Sequence, residues 1–282
     1  MNAVDPEEAR LADAVEAAAC RDLYAAAPTE FAASLGIRSA ELAGATLLIA
    51  SGIPDPFFNR ALGLGVHRPA TEADVDAVIA AYRDAECRKW WLHLTPAAQP
   101  AALRTWLEAR GFAPPPRRGW AKMLRGTEPP PRFETTLEVR EAKPAEARGV
   151  AQAICSAYRM PASFVAWFEA LAERPGWRAY AALDKGSVAG AGFLYLRGAD
   201  AWLGAGGVRA EYRGRNAHRA LMAMRIEHAI AAGCTRILTE TGEPVGDEPN
   251  PSLANMQRCG FRKVCSRLNY AAPAFRIPSS PA

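Results

Sequence analysis

The sequence predicts an α/β (α+β) protein built as two mixed-sheet domains in tandem, each with a central, mostly antiparallel sheet flanked by helices. Three observations lead there. The 282 residues exceed the roughly 100 to 200 of a usual single domain. A proline-stiffened stretch, "RGTEPPPRFE", interrupts the chain near its middle, and such stretches act as semi-rigid spacers. The flanking halves also echo each other: "LGLGV", helix, "RKWWLHL", "LRTWLEARGF", strand in the first runs parallel to "GAGGV", helix, "TRILTET", "SLANMQRCGF", strand in the second, as expected of a duplicated unit. The first domain is therefore placed at 1–127, the linker at 128–133 and the second domain at 134–282.

Local signals supply the elements in order. Asp5 followed by Pro6, Glu7 and Glu8 is a helix start, with a capping acid, a first-turn proline and acids against the positive dipole end; the helix runs to about Tyr24. "ATLLIAS" and "ALGLGV" read as strands, and "TEADVDAVIAAYRDA" as a helix capped by Thr71 with Asp74 three residues on. "KWWLHLT" is a strand, "AALRTWLEARGF" a helix ended by Gly111, and "GWAKMLR" a strand. After the linker, "TTLEVREA" is a strand and two helices follow, over 143–159 and 162–173. Three strands separated by the short turns 184–187 and 197–200 then form an antiparallel meander. Asn216 to Ala232 is a helix with Met222, Ile226 and Ile230 on one face and Gly233 as its stop. "CTRILTET" is a strand, "NPSLANMQRCGF" a helix ended by Gly260, and "RKVCSRLNYAA" the last strand.

Composition narrows the function classes. Half the residues are apolar and 23% charged, ordinary for a globular protein. The net charge is +4 and only five of the 34 basic residues are lysine, the arginines being spread along the chain; this argues against nucleic-acid binding. Six scattered cysteines form no CxxC pair and only four histidines are present, so neither a metal site nor a disulfide framework is expected. The scattered cysteines fit a reducing cytoplasm, and the acidic N-terminus and the lack of an apolar run near the ~18 residues of a membrane span point to a soluble protein; a monomer or homodimer is expected, with the residues not deciding between them.

The stretch "GVRAEYRGRNAHRALM" opens a helix after a strand. Such a turn leaves backbone N–H groups unpaired at the positive end of the dipole, where a phosphate is readily held. Arg213, Arg215 and Arg219 either neutralise phosphates there or form a solvated helix start. The order of elements from about Thr135 to Ala272 is similar to that of the GNAT N-acetyltransferase superfamily, and this stretch resembles its acetyl-CoA loop: Val208, Tyr212, Arg213 and Gly214 match, while Ala210 replaces a frequent proline, and Asn216 and His218 replace glycines. Asparagine tolerates positive φ and its amide can cap a helix. His218 either crowds a pyrophosphate or points outward and binds it.

The resemblance implies acetyl-CoA as co-substrate, without a metal, held by Gly207, Val208, Arg213, Gly214, Arg215, Asn216, Ala217, His218 and Arg219. Asn250, Ser252 and Asn255 would contact pantetheine, the alternative being a helix cap and exposed face. The tyrosine that protonates the departing thiolate in the family is Met256 here. "GAGGV" suits the strand bulge that polarises the thioester carbonyl, with Gly206 and Gly207 alternatively making room for a neighbour. Catalytic candidates are Glu240, as a base or an exposed strand carboxylate, and Tyr158, which with Phe164, Trp167 and Phe168 either shapes the acceptor pocket or packs as core. Cys259 has no histidine or acid nearby in sequence, against a cysteine nucleophile.

The first half carries "HRPATEADVD" at the matching turn, where Glu72, Asp74 and Asp76 would repel a pyrophosphate. It resembles a degenerate GNAT-like domain, an arrangement also known in mycothiol synthases. The expected function is transfer of an acetyl group to the amine of a small molecule or peptide by direct attack on the thioester. The alternative is a non-catalytic acyl-CoA-binding or regulatory module of the same fold.

Overall fold

A computed structural model describes residues 4–116 and 118–273. Its strands are β1 (Ile37–Leu42), β2 (Ala45–Ala50), β3 (Arg60–Leu62), β4 (Trp91–Leu94) and β5 (Gly119–Arg125) in the first half. The second half holds β6 (Glu138–Glu141), β7 (Trp177–Asp184), β8 (Ser187–Arg197), β9 (Asp200–Val208), β10 (Arg236–Gly242) and β11 (Arg262–Ala271). The helices are α1 (Pro6–Ala25), α2 (Thr29–Leu35), α3 (Glu72–Asp84) and α4 (Leu103–Ala109), then α5 (Ala147–Tyr158), α6 (Val165–Ala172), α7 (Ala217–Ala231) and α8 (Pro251–Arg258).

All eleven strands join one sheet in the order β1-β2-β3-β4-β11-β5-β10-β9-β8-β7-β6. Each half contributes an antiparallel run ending in one parallel pair, β3 with β4 and β9 with β10. The closing strands are exchanged: β5 from the first half pairs with β10, and β11 from the second pairs with β4. The two exchanged strands also pair antiparallel with each other. The order β1-β2-β3-β4-β11 thus repeats as β7-β8-β9-β10-β5, which is the duplication the sequence echoes predict, joined edge to edge. Exchange of identical elements is a low-cost way to link two copies of a unit.

Most elements form where their residues demand. Asp5 caps α1 by accepting from the Glu7 N–H at 2.8 Å, and Thr71 with Asp74 completes a capping box on α3. All six residues of β2 are buried, fitting a strand covered on both faces. "ALGLGV" is a strand only over Arg60–Leu62, because Gly63 and Gly65 turn the chain at φ +80° and +77°. β1 and α2 went unanticipated: β1 is mostly exposed and polar, and α2 buries no residue, so neither carries a strong periodic signal.

Helix α1 ties the halves together. Its Asp22 accepts from Arg174 at 2.7 and 2.8 Å and from the Trp177 indole at 2.8 Å. The Trp167 indole donates to the Leu23 carbonyl at 2.7 Å, and the Tyr24 ring meets Trp167 edge-on at 5.4 Å. No helix among the described residues is long and apolar enough to cross a membrane.

Candidate functional site

The site begins where β9 and β10 part. Their parallel pairing ends at Leu203 opposite Thr239, although β9 continues to Val208 and β10 to Gly242. Just beyond, Gly207 pairs with Ala191 and Gly204 with Phe193, so Ala205 and Gly206 together oppose Gly192. This is the expected bulge, with Ala205 at φ +42°, and a bulge leaves its extra residue outside the ladder. Side chains hold its carbonyls: the Tyr158 hydroxyl donates to Gly206 O at 2.9 Å and Thr239 to Leu203 O at 2.8 Å.

Arg225 lies beneath the bulge. It comes from α7 and is 2% exposed, donating to Leu221 O at 3.0 Å, Phe193 O at 3.1 Å and Gly204 O at 3.3 Å. Burial without a carboxylate partner pulls its guanidinium down to about 10. A Cβ on Gly192 would fall 2.7 Å from its Cζ, and one on Gly206 3.0 Å from Nη2. A Cβ on Gly207 would fall 2.5 Å from the Ala157 Cβ, so Gly206 and Gly207 both serve the alternative reading too, by making room for neighbours.

The turn from β9 into α7 opens on the same cavity, of ≈ 650 Å³. Gly214 has φ +79° with nothing within 4 Å of its missing Cβ. Asn216 has the expected left-handed φ of 60° but does not cap α7; its amide donates to Glu134 O at 2.9 Å. The first N–H groups of α7 therefore lack a side-chain cap. Arg213 and Arg219 line the cavity, the Arg213 guanidinium donating to Val208 O at 3.4 Å and that of Arg219 reaching the Asn216 amide and the Phe133 ring. Arg215 turns away, bonded to Thr136 at 2.9 Å and paired with Asp184 at 3.1 Å.

Further residues fall on both sides of expectation. Gly207, Val208, Ala217, His218, Ser252 and Asn255 line the cavity. Asn250 does not: its side chain caps α8, accepting from Leu253 N–H at 3.0 Å and donating to Gly242 O at 2.6 Å. His218 faces the Asn255 amide at 3.3 Å. Burial, with Arg225 nearby, pushes its imidazole down to about 4, so it is neutral at pH 7 and brings no charge to an anion. Met256 borders the cavity; Phe168 does as well, while Phe164 and Trp167 are packed in the core. The Cys259 thiol is buried, and burial pushes it up to about 11.

Glu240 lines the cavity but is no exposed strand carboxylate. It stands opposite Lys122 in the β10/β5 register, forms an ion pair with that ammonium, and lies 3.6 Å from Arg267. These belong to a buried cluster in which Glu16 also meets Lys122 at 2.6 Å and Asp13 meets Arg267 at 3.1 Å. Burial raises the Glu240 carboxyl above the ordinary carboxylate range, and Glu16 adds to the rise. Burial also works against Glu16, yet Arg267 and Lys122 hold its carboxyl well below that range.

One wall of the cavity was not foreseen. Leu23, Tyr24, Phe57, Phe58, Arg60 and Trp120 of the first half line it. Arg60 and Lys122 were legible only as charges inside apolar strands, and Arg225 only as a charge on the buried face that carries Leu221, Met222 and Ile226.

Residues 145–261 match the family described as "Acetyltransferase (GNAT) family". No curated protein matches the chain by sequence. Among solved structures, a GCN5-related N-acetyltransferase from Kribbella flavida superposes with TM-score 0.61 at 15% identity, over 85% of this chain and 90% of its own. A GCN5-related N-acetyltransferase from Sphaerobacter thermophilus gives 0.59 at 18% identity, over 83% of each chain. A tandem GNAT protein from the clavulanic acid biosynthesis pathway gives 0.60 at 17% identity, over 81% of this chain and 78% of its own. At these identities the likeness is one of fold, including the tandem arrangement.

Proposed function

Residues 145–261 form an acetyltransferase domain of the GNAT family, and from that premise we propose that the chain transfers an acetyl group from acetyl-CoA to an amine. The observation that carries this reading is the gap between β9 and β10, which joins a strand bulge to an uncapped helix start through one cavity.

The residues present fit acetyl-CoA. Backbone from Gly214 to Arg219 offers donors at the positive end of α7, with Arg213 and Arg219 adding charge. Gly207 and Val208 on one side, and Ser252 and Asn255 on the other, flank the path of a pantetheine arm. The cofactor supplies an activated thioester. Arg225 sets a positive charge beneath the bulge, where negative charge would develop on the thioester oxygen, and preorganised charge of this kind is usually the largest catalytic contribution. Tyr158 fixes the bulge carbonyl and presents its hydroxyl beside it. Glu240 accepts the proton of the amine, its raised pKa making it a stronger base once ionised.

Glu240→Gln tests the assignment. Because the native carboxyl titrates above the ordinary range, kcat/KM should fall as pH drops through that raised value. Glu16 from α1, Lys122 from β5 and Arg267 from β11 set the titration. The variant should lose that acid limb and on the order of 100-fold in kcat/KM, with CoA affinity by calorimetry unchanged. An unaltered profile removes Glu240 from the chemistry.

The alternative, a non-catalytic acyl-CoA-binding module, is favoured by the Lys122 pair at Glu240 and by Met256 at the usual proton-donor position. It predicts CoA binding without thiol release across an amine panel.

A further inference from the structure

The acetyl-transfer reading leaves the acceptor open, and the first-half wall of the cavity bears on it. Arg60 is 5% exposed and borders the cavity, yet its donors are poorly used. It reaches Glu16 only at 3.4 Å and the Cys20 sulfur at 3.5 Å, and its Nε has no partner among the described residues. Neighbouring Arg267 and Lys122 take the close contacts to Glu16. A buried guanidinium with unfilled donors is costly unless something completes its bonding. Its face lies over the Phe57 ring at 4.8 Å, which fixes the fork instead of satisfying it.

Arg213, Arg219 and Arg225 also border this cavity, at the α7 turn and beneath the bulge; beside the first-half wall an anion, Glu240, and an incompletely paired cation, Arg60, meet. They are the two cavity-lining members of a buried group with three acids, Asp13, Glu16 and Glu240, and three bases, Arg60, Lys122 and Arg267. A guest with net charge would unbalance this group in a low-dielectric interior, whereas a zwitterion would not. The surrounding surface is aromatic: Tyr24, Phe57, Phe58, Trp120, Phe168 and Trp202.

Resting on that reading, we propose that the acceptor is an α-amino acid with an aromatic or bulky apolar side chain. Arg60 takes its carboxylate, Glu240 faces its amino group, and the aromatic wall takes the side chain. In the transfer, the ammonium first gives a proton to Glu240. The freed nitrogen lone pair then forms a bond to the acetyl carbonyl carbon, and the carbon–sulfur bond breaks with its electron pair on sulfur. The second nitrogen proton passes through water to the thiolate, so that CoA departs as the thiol, and Glu240 releases the first proton to solvent. Arg60 is a specificity residue in this scheme and plays no part in the bond changes.

The test is equilibrium binding to the full chain saturated with CoA. The probes are L-phenylalanine, L-tryptophan, phenethylamine, which lacks the carboxylate, and 3-phenylpropionate, which lacks the amine. At least one of the amino acids should bind roughly tenfold or more tightly than either truncated probe, the usual worth of one charge-assisted hydrogen bond. Arg60→Gln should reduce amino-acid binding to the phenethylamine level with CoA affinity unchanged, and Arg60→Lys should retain part of the preference. Phenethylamine binding as well as both amino acids, or neither amino acid binding, overturns the proposal. So does an equal loss for all probes in a folded Arg60→Gln; if that variant does not fold, the wild-type preference decides. Thiol release is measured separately. Amino-acid preference without release sustains the site and removes the transfer reading; release with other amines and no amino-acid preference does the reverse.

Discussion

The two strand–turn–helix units, β3 to α3 and β9 to α7, have the same connectivity and opposite contents. At the first, the chain fills its own gap. A Cβ on Gly65 would lie 2.5 Å from Gln99 O, the Gln99 N–H donates to Gly65 O at 2.8 Å, and the Ala70 N–H donates to Gln99 O at 2.8 Å. The start of α3 is closed by its capping box and by Arg68 on Asp74 at 2.7 Å, while Arg110 holds Asp76 at 2.6 Å and Glu72 at 3.1 Å. At the second, Gly214 stands in open space, as Gly63 does at the first, but the helix has no side-chain cap and the strands splay into the cavity. A helix start that the protein's own groups satisfy has few donors left for an anion, whereas one without such partners keeps them. The first-half acids need no repulsive role, because each already has an arginine.

Separating the halves breaks the comparison most severely. A chain of residues 134–282 lacks β4 and β5, so β10 loses its antiparallel partner and β11 loses both of its own, and the bare edges invite aggregation. It also loses α1 and with it Glu16, stranding Arg267 beside Glu240. Neither 1–127 nor 134–282 should fold alone, and co-expression should recover a soluble pair. Size-exclusion chromatography and circular dichroism check this. A soluble, cooperatively melting 134–282 fragment would show that the exchanged strand is dispensable.

A matched pair of glycine substitutions sharpens the contrast. Gly214 and Gly65 share a left-handed backbone, φ +79° and +77°, so valine costs each the same intrinsic strain, about 1–2 kcal/mol. At Gly65 the added side chain also strikes Gln99, so Gly65→Val should lower Tm more than Gly214→Val while leaving CoA affinity unaltered. Gly214→Val meets no protein atom but blocks backbone approach to a pyrophosphate, and should weaken CoA by roughly 10- to 100-fold, the worth of one or two charge-assisted hydrogen bonds. Calorimetry should also give one CoA per chain. Two equivalent sites, or weaker CoA binding in Gly65→Val alone, would reverse the roles of the two turns.

Much of this was legible in residues. Asp5, the Thr71/Asp74 box, the short meander turns, the glycine bulge and the positive φ of Asn216 are local phenomena, and local sequence encodes them. Strand exchange was not legible, because the apolar patterns of "GWAKMLR" and "RKVCSRLNYAA" state that each strand is buried without stating beside what. The same blindness hid the cavity's first-half wall and made Glu240 look like a lone carboxylate: its partners Lys122 and Arg267 arrive from exchanged strands, and Glu16 from a helix more than 200 residues away. The cap on α8 fell to Asn250 because its amide reaches both Leu253 and Gly242, leaving Ser252 and Asn255 for the cavity.

The smallest effect separates the helix starts by charge. The second residue of α3 is Ala73, whereas that of α7 is His218, held neutral by burial and by Arg225, with the Asn255 amide against its ring. Its folded pKa of about 4 lies below the unfolded value of 6.5, so at intermediate pH the unfolded chain binds a proton that the folded chain refuses. Stability is therefore intact above pH 6.5 and declines as pH falls toward 4. By pH 5 the loss approaches about 2 kcal/mol, at 1.36 kcal/mol per pH unit. His218→Gln keeps a polar contact to Asn255 and removes the titration, so its denaturation midpoint should change less between pH 7 and pH 5 than that of the wild type. His93, buried and also held neutral, adds to the slope that remains, and the raised carboxyls of Glu240 and Asp13 oppose it. An identical pH dependence in both proteins would mean that His218 is solvated, and that the start of α7 can carry one more positive charge toward an anion.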